Sequence, residues 1–271
     1  MPKVLSEAQV EFFRANGHLH PFDGVDAGEA AALCADLSDY ESTQGGNATA
    51  IITKSHLMFP RAFEFSRRPA ILDAVEDLIG PDILIFSSRF WIKPGGDGSY
   101  VSWHQDSAYF GLAPNELVTV WLALTEATTE NGCLRVIPGT HLGQTHTHDE
   151  TPDDKNLLAR SQSIQEIDDS GAVDLVLKAG QFSLHHERLV HGSLPNETAG
   201  PRIGIGFFCM PTHVRSTLDR RFADLARGTD RYGHWDLDPT LETASPQDVA
   251  AHVEVAGRRY VDPNFAQEAL Q

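Results

Sequence analysis

The sequence predicts a mainly β fold with flanking helices, an antiparallel sandwich or jelly roll. Three observations carry this. Short runs rich in β-branched and aromatic residues fill the middle of the chain, Gly, Pro and Asn cluster between them, and no regular helical periodicity separates them.

Helical signals are confined to the two ends. Ser6 with Gln9 three residues on is a capping-box pattern, and Gly17 is placed to close that helix. Residues 27–41 carry Ala and Leu at helical spacing. Pro69 suits the first turn of a helix over 70–79, which Gly80-Pro81 stops. Strand-like runs follow at 83–93, 117–124, 134–137, 173–177, 181–185 and 202–209. Residues 145–170 are polar and acidic and read as a long insertion with room for one short helix. From about Thr212 the chain returns to helix and loop. There is no internal repeat and no low-complexity linker, so residues 1–271 are expected to form a single domain.

Bulk properties narrow the function classes. A formal net charge of −17 over 271 residues, with no basic stripe to offset it, argues against nucleic acid and anionic membranes as partners. No run of about 18 apolar residues is present, and the N-terminus has no signal-peptide apolar region. Cys34, Cys133 and Cys209 are sparse and widely spaced, as expected of buried thiols in a reducing cytoplasm. A small-molecule ligand and a cytoplasmic location are therefore expected.

The chemistry-bearing pattern is His-x-Asp at His104-Gln105-Asp106. Two residues apart on a strand, an imidazole and a carboxylate point to one face and can grip one cation, and a third ligand from elsewhere would complete a two-His-one-carboxylate site. The pattern alone is weak in a chain with 13 histidines. His234-Trp235-Asp236 matches it too, and His148, His185 and His252 each precede a glutamate at the same spacing. Context favours His104. It follows a strand-like run and the turn at 94–98, and after it come further strands, His191, and an arginine at the start of a strand, Arg202, which can clamp a carboxylate bidentately. His146 and His148 lie in the polar insertion and read as solvated, and Trp103 and Trp121 read as core.

Trp103-His104-Gln105-Asp106, the block from Asn131 to His141 (NGCLRVIPGTH), and His191 followed by Arg202 together resemble the phytanoyl-CoA dioxygenase family of iron(II)/2-oxoglutarate oxygenases. The resemblance runs over roughly residues 5–215. It implies a double-stranded β-helix, a cupin-like jelly roll with the metal at its open end. It implies His104, Asp106 and His191 as metal ligands and Arg202 as the partner of the distal carboxylate of 2-oxoglutarate. Ser193 and Arg89 match positions near that cosubstrate in the related ectoine hydroxylases, although Val101 stands where those enzymes carry an aromatic residue. The cofactors implied are Fe(II), 2-oxoglutarate and O2, with ascorbate as a stimulant, and the products include succinate and CO2. The Asn131–His141 block itself reads as turn, strand and turn, an architectural role.

Other chemistries on this pattern are a halogenase, a zinc hydrolase and a non-catalytic binding protein. The intact Asp106 weighs against the first, Arg202 against the second and the full triad against the third. The substrate pocket is expected to draw on Arg89, Lys93, Gln105, Ser107, Tyr109, His213 and Arg215, a cationic and hydrogen-bonding set suited to an anionic or zwitterionic ligand. The expected substrate is a small polar metabolite, 2-aminoethylphosphonate-like first and amino-acid-like second. A fatty acyl-CoA is disfavoured because no Lys/Arg cluster offers a seat for its phosphates.

Overall fold

The computed structural model describes residues 2–44 and 46–261. The N-terminal half of the helical layer comprises α1 (Glu7–Asn16), α2 (Ala27–Gln44), α3 (Ser55–Met58), α4 (Pro60–Ser66) and α5 (Pro69–Ile79), with strand β1 (His18–Asp23) between the first two helices. The central strands are β2 (Ile83–Lys93), β3 (Val101–His104), β4 (Leu112–Ala113), β5 (Val118–Ala123), β6 (Leu134–Val136), β7 (Val173–Leu175), β8 (Gln181–His186), β9 (His191–Ser193) and β10 (Arg202–Pro211), with a one-turn helix α6 (Ser107–Phe110) after β3. The chain ends with β11 (Arg215–Ser216), β12 (Phe222–Arg227), β13 (Asp236–Leu237) and α7 (Pro246–Val261).

The helix ends follow from their residues. Ser6 and Gln9 form a reciprocal capping box on α1, and Gly17 closes it at φ 80°, a left-handed conformation that costs glycine little. Pro69 occupies the first turn of α5, where its missing N–H is no loss. The polar stretch at 145–170 contains no helix, contrary to the expectation. It is held instead by side chain–backbone bonds and short bridges such as Asp149 with Ser163. Its many Asp, Asn and Ser residues satisfy backbone groups locally, which competes with helix formation.

The strands form a seven-stranded sheet, ordered β1-β8-β5-β10-β2-β12-β13, and a four-stranded sheet, ordered β3-β9-β6-β7. β1 and β12 were not legible as strands, and β3 ends at His104, so Asp106 lies just beyond the strand on which the pair was expected. β1 and β12 join the large sheet through partners far along the chain, β8 and β2. One face of the large sheet packs on the helices. Phe90, Val120, Leu122, Phe182, Leu184, Ile205 and Phe207 share a core with Leu33, Leu37, Phe65, Ile71 and Val75. The residues that alternate with them, Trp91, Thr119, Trp121, His185 and Phe208, line a cavity together with residues of the small sheet. The site therefore lies between the sheets. No helix is long and apolar enough to cross a membrane among the described residues. The three cysteines are free thiols.

Candidate metal centre

His104 ends β3 and His191 begins β9, and the two are direct register partners. A Cβ at position 192 would stand 2.9 Å from Val101 O, so Gly192 is what lets the two strands lie this close. The imidazole centroids are 4.1 Å apart. Asp106 follows β3 and its carbonyl accepts from Tyr109 and Phe110 as the chain turns into α6. This turn swings the carboxylate to 3.4 Å from His104 Nε2 and 3.9 Å from His191 Nε2. One ligand atom from each of the three residues lies within 4.8 Å of the others, and among the described residues this is the one such group of His, Cys, Asp or Glu.

The donor set fits a divalent cation. His104 Nδ1 donates to Ser102 O at 2.9 Å and His191 Nδ1 to Leu189 O at 2.8 Å. Carbonyls only accept, so both rings carry their proton on Nδ1 and present the Nε2 lone pair to the site. Asp106 Oδ2 is buried with no hydrogen-bond partner. Burial lowers His191 to about 4, which keeps it neutral. Two lone pairs and a carboxylate aimed at one point form an acceptor cluster, which is costly to bury without a cation.

The cavity beside the triad ends at Arg202. This guanidinium is buried, lies 5.2 Å over the Trp121 ring, and has no carboxylate within ion-pair distance among the described residues. Its Nε has no partner, and burial lowers its pKa to about 10. Lys93 stands opposite it in the β2–β10 register. Burial, then the Arg202 charge, lowers Lys93 to about 6, and its Nζ donates to Ser193 Oγ at 2.6 Å and to Leu194 O. A buried arginine with no counterion is a seat for a carboxylate.

A second chamber adjoins the first and shares Trp91, Asp106 and Phe208 with it. Arg89, Tyr109, Arg160 and Gln162 supply its polar lining, and Ile52, Phe110 and Leu158 its apolar lining. Burial, followed by the Glu150 carboxylate, pushes the Tyr109 phenol up to about 12.

Several expected positions need correction. Arg89 faces this second chamber, over the Trp91 ring at 4.6 Å, and not the Arg202 end. Lys93 does the reverse: it lies on the expected strand but beside Arg202 and Ser193, away from the second chamber. Gln105 is fully buried and ties loops together, donating to Arg188 O and accepting from His146 N. Ser107 is not among the residues lining either chamber. His213 is half-buried and paired with Glu116 at 2.9 Å, and Arg215 is exposed. Both follow β10 in the chain, and neither is among the residues lining the two chambers. His148 is half-buried, accepts from Gln105 N and packs against Tyr109, so it is not simply solvated. Trp121 faces the cavity, whereas Trp103 packs beside Ile137, Ile164 and Val190 as core. His185, Thr119, Trp91, Phe208 and Arg160 were missed as lining residues.

The chain is similar to known proteins over most of its length. A family model described as phytanoyl-CoA dioxygenase (PhyH) matches residues 13–204. The chain is 31% identical over 219 residues to a probable phytanoyl-CoA dioxygenase of Caenorhabditis elegans, covering 74% of this chain and 70% of that protein. It is 28% identical over 175 residues to a probable alpha-ketoglutarate-dependent hypophosphite dioxygenase of Stutzerimonas stutzeri, covering 62% of this chain and 61% of that one. The chain spans about half the length of the mammalian relatives it matches. Among solved structures, the non-heme monooxygenase ThoJ superposes with a TM-score of 0.83 at 32% identity, covering 97% of this chain and 99% of that one.

Proposed function

Because the chain belongs to the phytanoyl-CoA dioxygenase family of iron(II)- and 2-oxoglutarate-dependent oxygenases, we propose that it hydroxylates an unactivated C–H bond of a small anionic or zwitterionic metabolite. The single observation that carries the reading is the pairing, in one buried cavity, of an acceptor-only His104–Asp106–His191 cluster with a counterion-free Arg202. The first suits a divalent metal and the second a dicarboxylate reaching it.

In this reading His104, Asp106 and His191 hold iron(II), and Arg202, Ser193 and Lys93 hold the distal carboxylate of 2-oxoglutarate. With O2, the bound metal and cosubstrate supply the oxidant that converts C–H to C–OH, releasing succinate and CO2. The protein contributes orientation and dryness. The backbone carbonyls of Ser102 and Leu189 fix the two imidazoles, and Trp121 and Trp91 wall the cavity. The second chamber meets the metal cluster at Asp106, so a substrate held in it would lie next to the metal that His104, Asp106 and His191 would hold.

Arg89, Arg160, Tyr109 and Gln162 support an anionic or hydrogen-bonding substrate. A 2-aminoethylphosphonate-like compound is the first choice and an amino-acid derivative the second. A relative named for hypophosphite favours a small phosphorus oxyanion. The strand orders of the two sheets support reading the fold as a double-stranded β-helix. Incubation with iron(II), 2-oxoglutarate, ascorbate and each compound class, followed by mass spectrometry, tests the substrate. Gain of one oxygen atom on a long-chain acyl-CoA, with none on small anions or zwitterions, overturns it.

A further inference from the structure

Thr119 and His185 are unassigned polar residues in the cavity wall. They are register partners across β5 and β8. Both side chains face the cavity, because the residues that alternate with them, Val120 and Leu184, pack on the helices. Thr119 is 2% exposed and so is His185. Neither Thr119 Oγ1 nor His185 Nδ1 or Nε2 has a hydrogen-bond partner. Three orphaned polar atoms on adjacent strands are a costly feature where Val and Phe would pack without penalty. They face space that a ligand would fill.

The pair sits at the metal end of that space. The His185 ring centroid is 4.6 Å from that of His191. Thr119 is two residues before Trp121, which lies under Arg202, so the β5 face runs from Thr119 towards the guanidinium. His185 is not a fourth ligand of the triad, since its nitrogens fall outside the group of mutually close ligand atoms. A hydroxyl and an imidazole can each donate one hydrogen bond.

We propose that Thr119 and His185 hydrogen-bond the keto-carboxylate end of 2-oxoglutarate, opposite the Arg202 end. This rests on the reading that the cavity holds that cosubstrate. The pair acts as a positioning element: it fixes the metal-end carboxylate in one orientation, which decides which side of the metal stays open to the second chamber.

The test is anaerobic titration of the iron(II)-loaded protein with 2-oxoglutarate and, separately, with pyruvate, which carries only the keto-carboxylate end. Binding is followed by the visible absorption that a keto acid gives on chelating iron(II). Thr119→Val and His185→Phe should each weaken both ligands roughly tenfold, the loss of one hydrogen bond to a charged group. Arg202→Ala should weaken 2-oxoglutarate but not pyruvate. Metal affinity should be unchanged, and the metal-free variants should unfold at the same temperature or higher, because each removes an orphaned group. A purely structural role predicts the opposite, a lower unfolding temperature. Dissociation constants within twofold of the parent in both variants overturn the proposal, as does weakening for 2-oxoglutarate alone. If His185→Phe does not fold, Thr119→Val decides on the same criteria. A parent protein that binds neither keto acid removes the underlying reading and the proposal with it.

Discussion

Arg202 and Lys93 face each other as direct register partners across β10 and β2, two buried cations side by side with no carboxylate between them. Like charges opposite one another in an antiparallel pair are destabilising. The arrangement persists because Lys93 sheds its proton, its pKa lowered to about 6 by burial and by Arg202. In the unfolded chain the amine titrates near its usual value of about 10.4. Between those values the unfolded state binds more protons, so Lys93 makes stability rise as pH climbs from about 6 to about 10. Lys93→Met should flatten that rise and stabilise the metal-free protein by roughly 1–3 kcal/mol at pH 8. Urea unfolding at several pH values measures it, and an unchanged slope with pH refutes it.

The same residue should respond to 2-oxoglutarate in the opposite sense. A dianion beside Lys93 favours the ammonium form, so binding takes up a proton above pH 6. Calorimetric titration in buffers of different ionisation enthalpy should show that uptake in the parent protein and its loss in Lys93→Met. Equal proton uptake in the two proteins would exclude Lys93 as the source.

The triad makes a sharper demand. His104→Ala, Asp106→Ala and His191→Ala should each abolish stoichiometric Mn(II) or Fe(II) binding, and with it the metal-dependent rise in unfolding temperature. His234→Ala should retain both, since His234 is half-buried, stacks on Tyr232 and lies outside the cluster of close ligand atoms. Retained metal in His104→Ala and lost metal in His234→Ala would reverse the assignment.

How much of this was legible in the sequence depends on whether the signal was local. The α1 capping box and the α5 proline are local chemistry, and both ends fell where expected. His104 and His191 could be singled out by their order along the chain, but not their register pairing, which depends on strands of four and three residues. β5 is buried at every position, so period-two alternation is masked and nothing local marks Thr119 as cavity-facing. In β8 a trace survived, since Ser183 and His185 alternate with Phe182 and Leu184. Arg89 and Lys93 were known to share a strand. Which end of the cavity each reaches is set by pairing with β10, and that is a long-range fact.

Gly204 tests the support under the cosubstrate seat. A Cβ there would stand 2.3 Å from the Trp121 indole, the ring over which Arg202 lies. Gly204→Ala should cost about 1–3 kcal/mol by overpacking and weaken 2-oxoglutarate without weakening the metal. Arg202→Ala should weaken 2-oxoglutarate by about 2–5 kcal/mol, with Arg202→Lys recovering only part, since lysine lacks the planar fork. Unchanged 2-oxoglutarate affinity in Arg202→Ala would place the distal carboxylate elsewhere.

The division into two chambers predicts that substrate and cosubstrate defects separate. Arg89 and Arg160 line only the second chamber, whereas Arg202 and Ser193 line only the first. Arg160 is partly exposed, with its guanidinium 5.6 Å from the Tyr109 ring centroid and 3.8 Å from Glu150, so solvent screens much of its charge. Arg89 is less exposed and donates to Leu157 O at 3.1 Å, which fixes its direction. Arg89→Met should therefore raise the Michaelis constant for 2-aminoethylphosphonate by tenfold or more, a loss of about 1.4 kcal/mol or greater, and Arg160→Met by less. The Michaelis constant for 2-oxoglutarate should stay within twofold in both. Succinate release should become less tightly coupled to hydroxylation, because a poorly held substrate leaves the oxidant without its target. A rise in the 2-oxoglutarate constant that matches the rise for the substrate would show that the two chambers do not act separately.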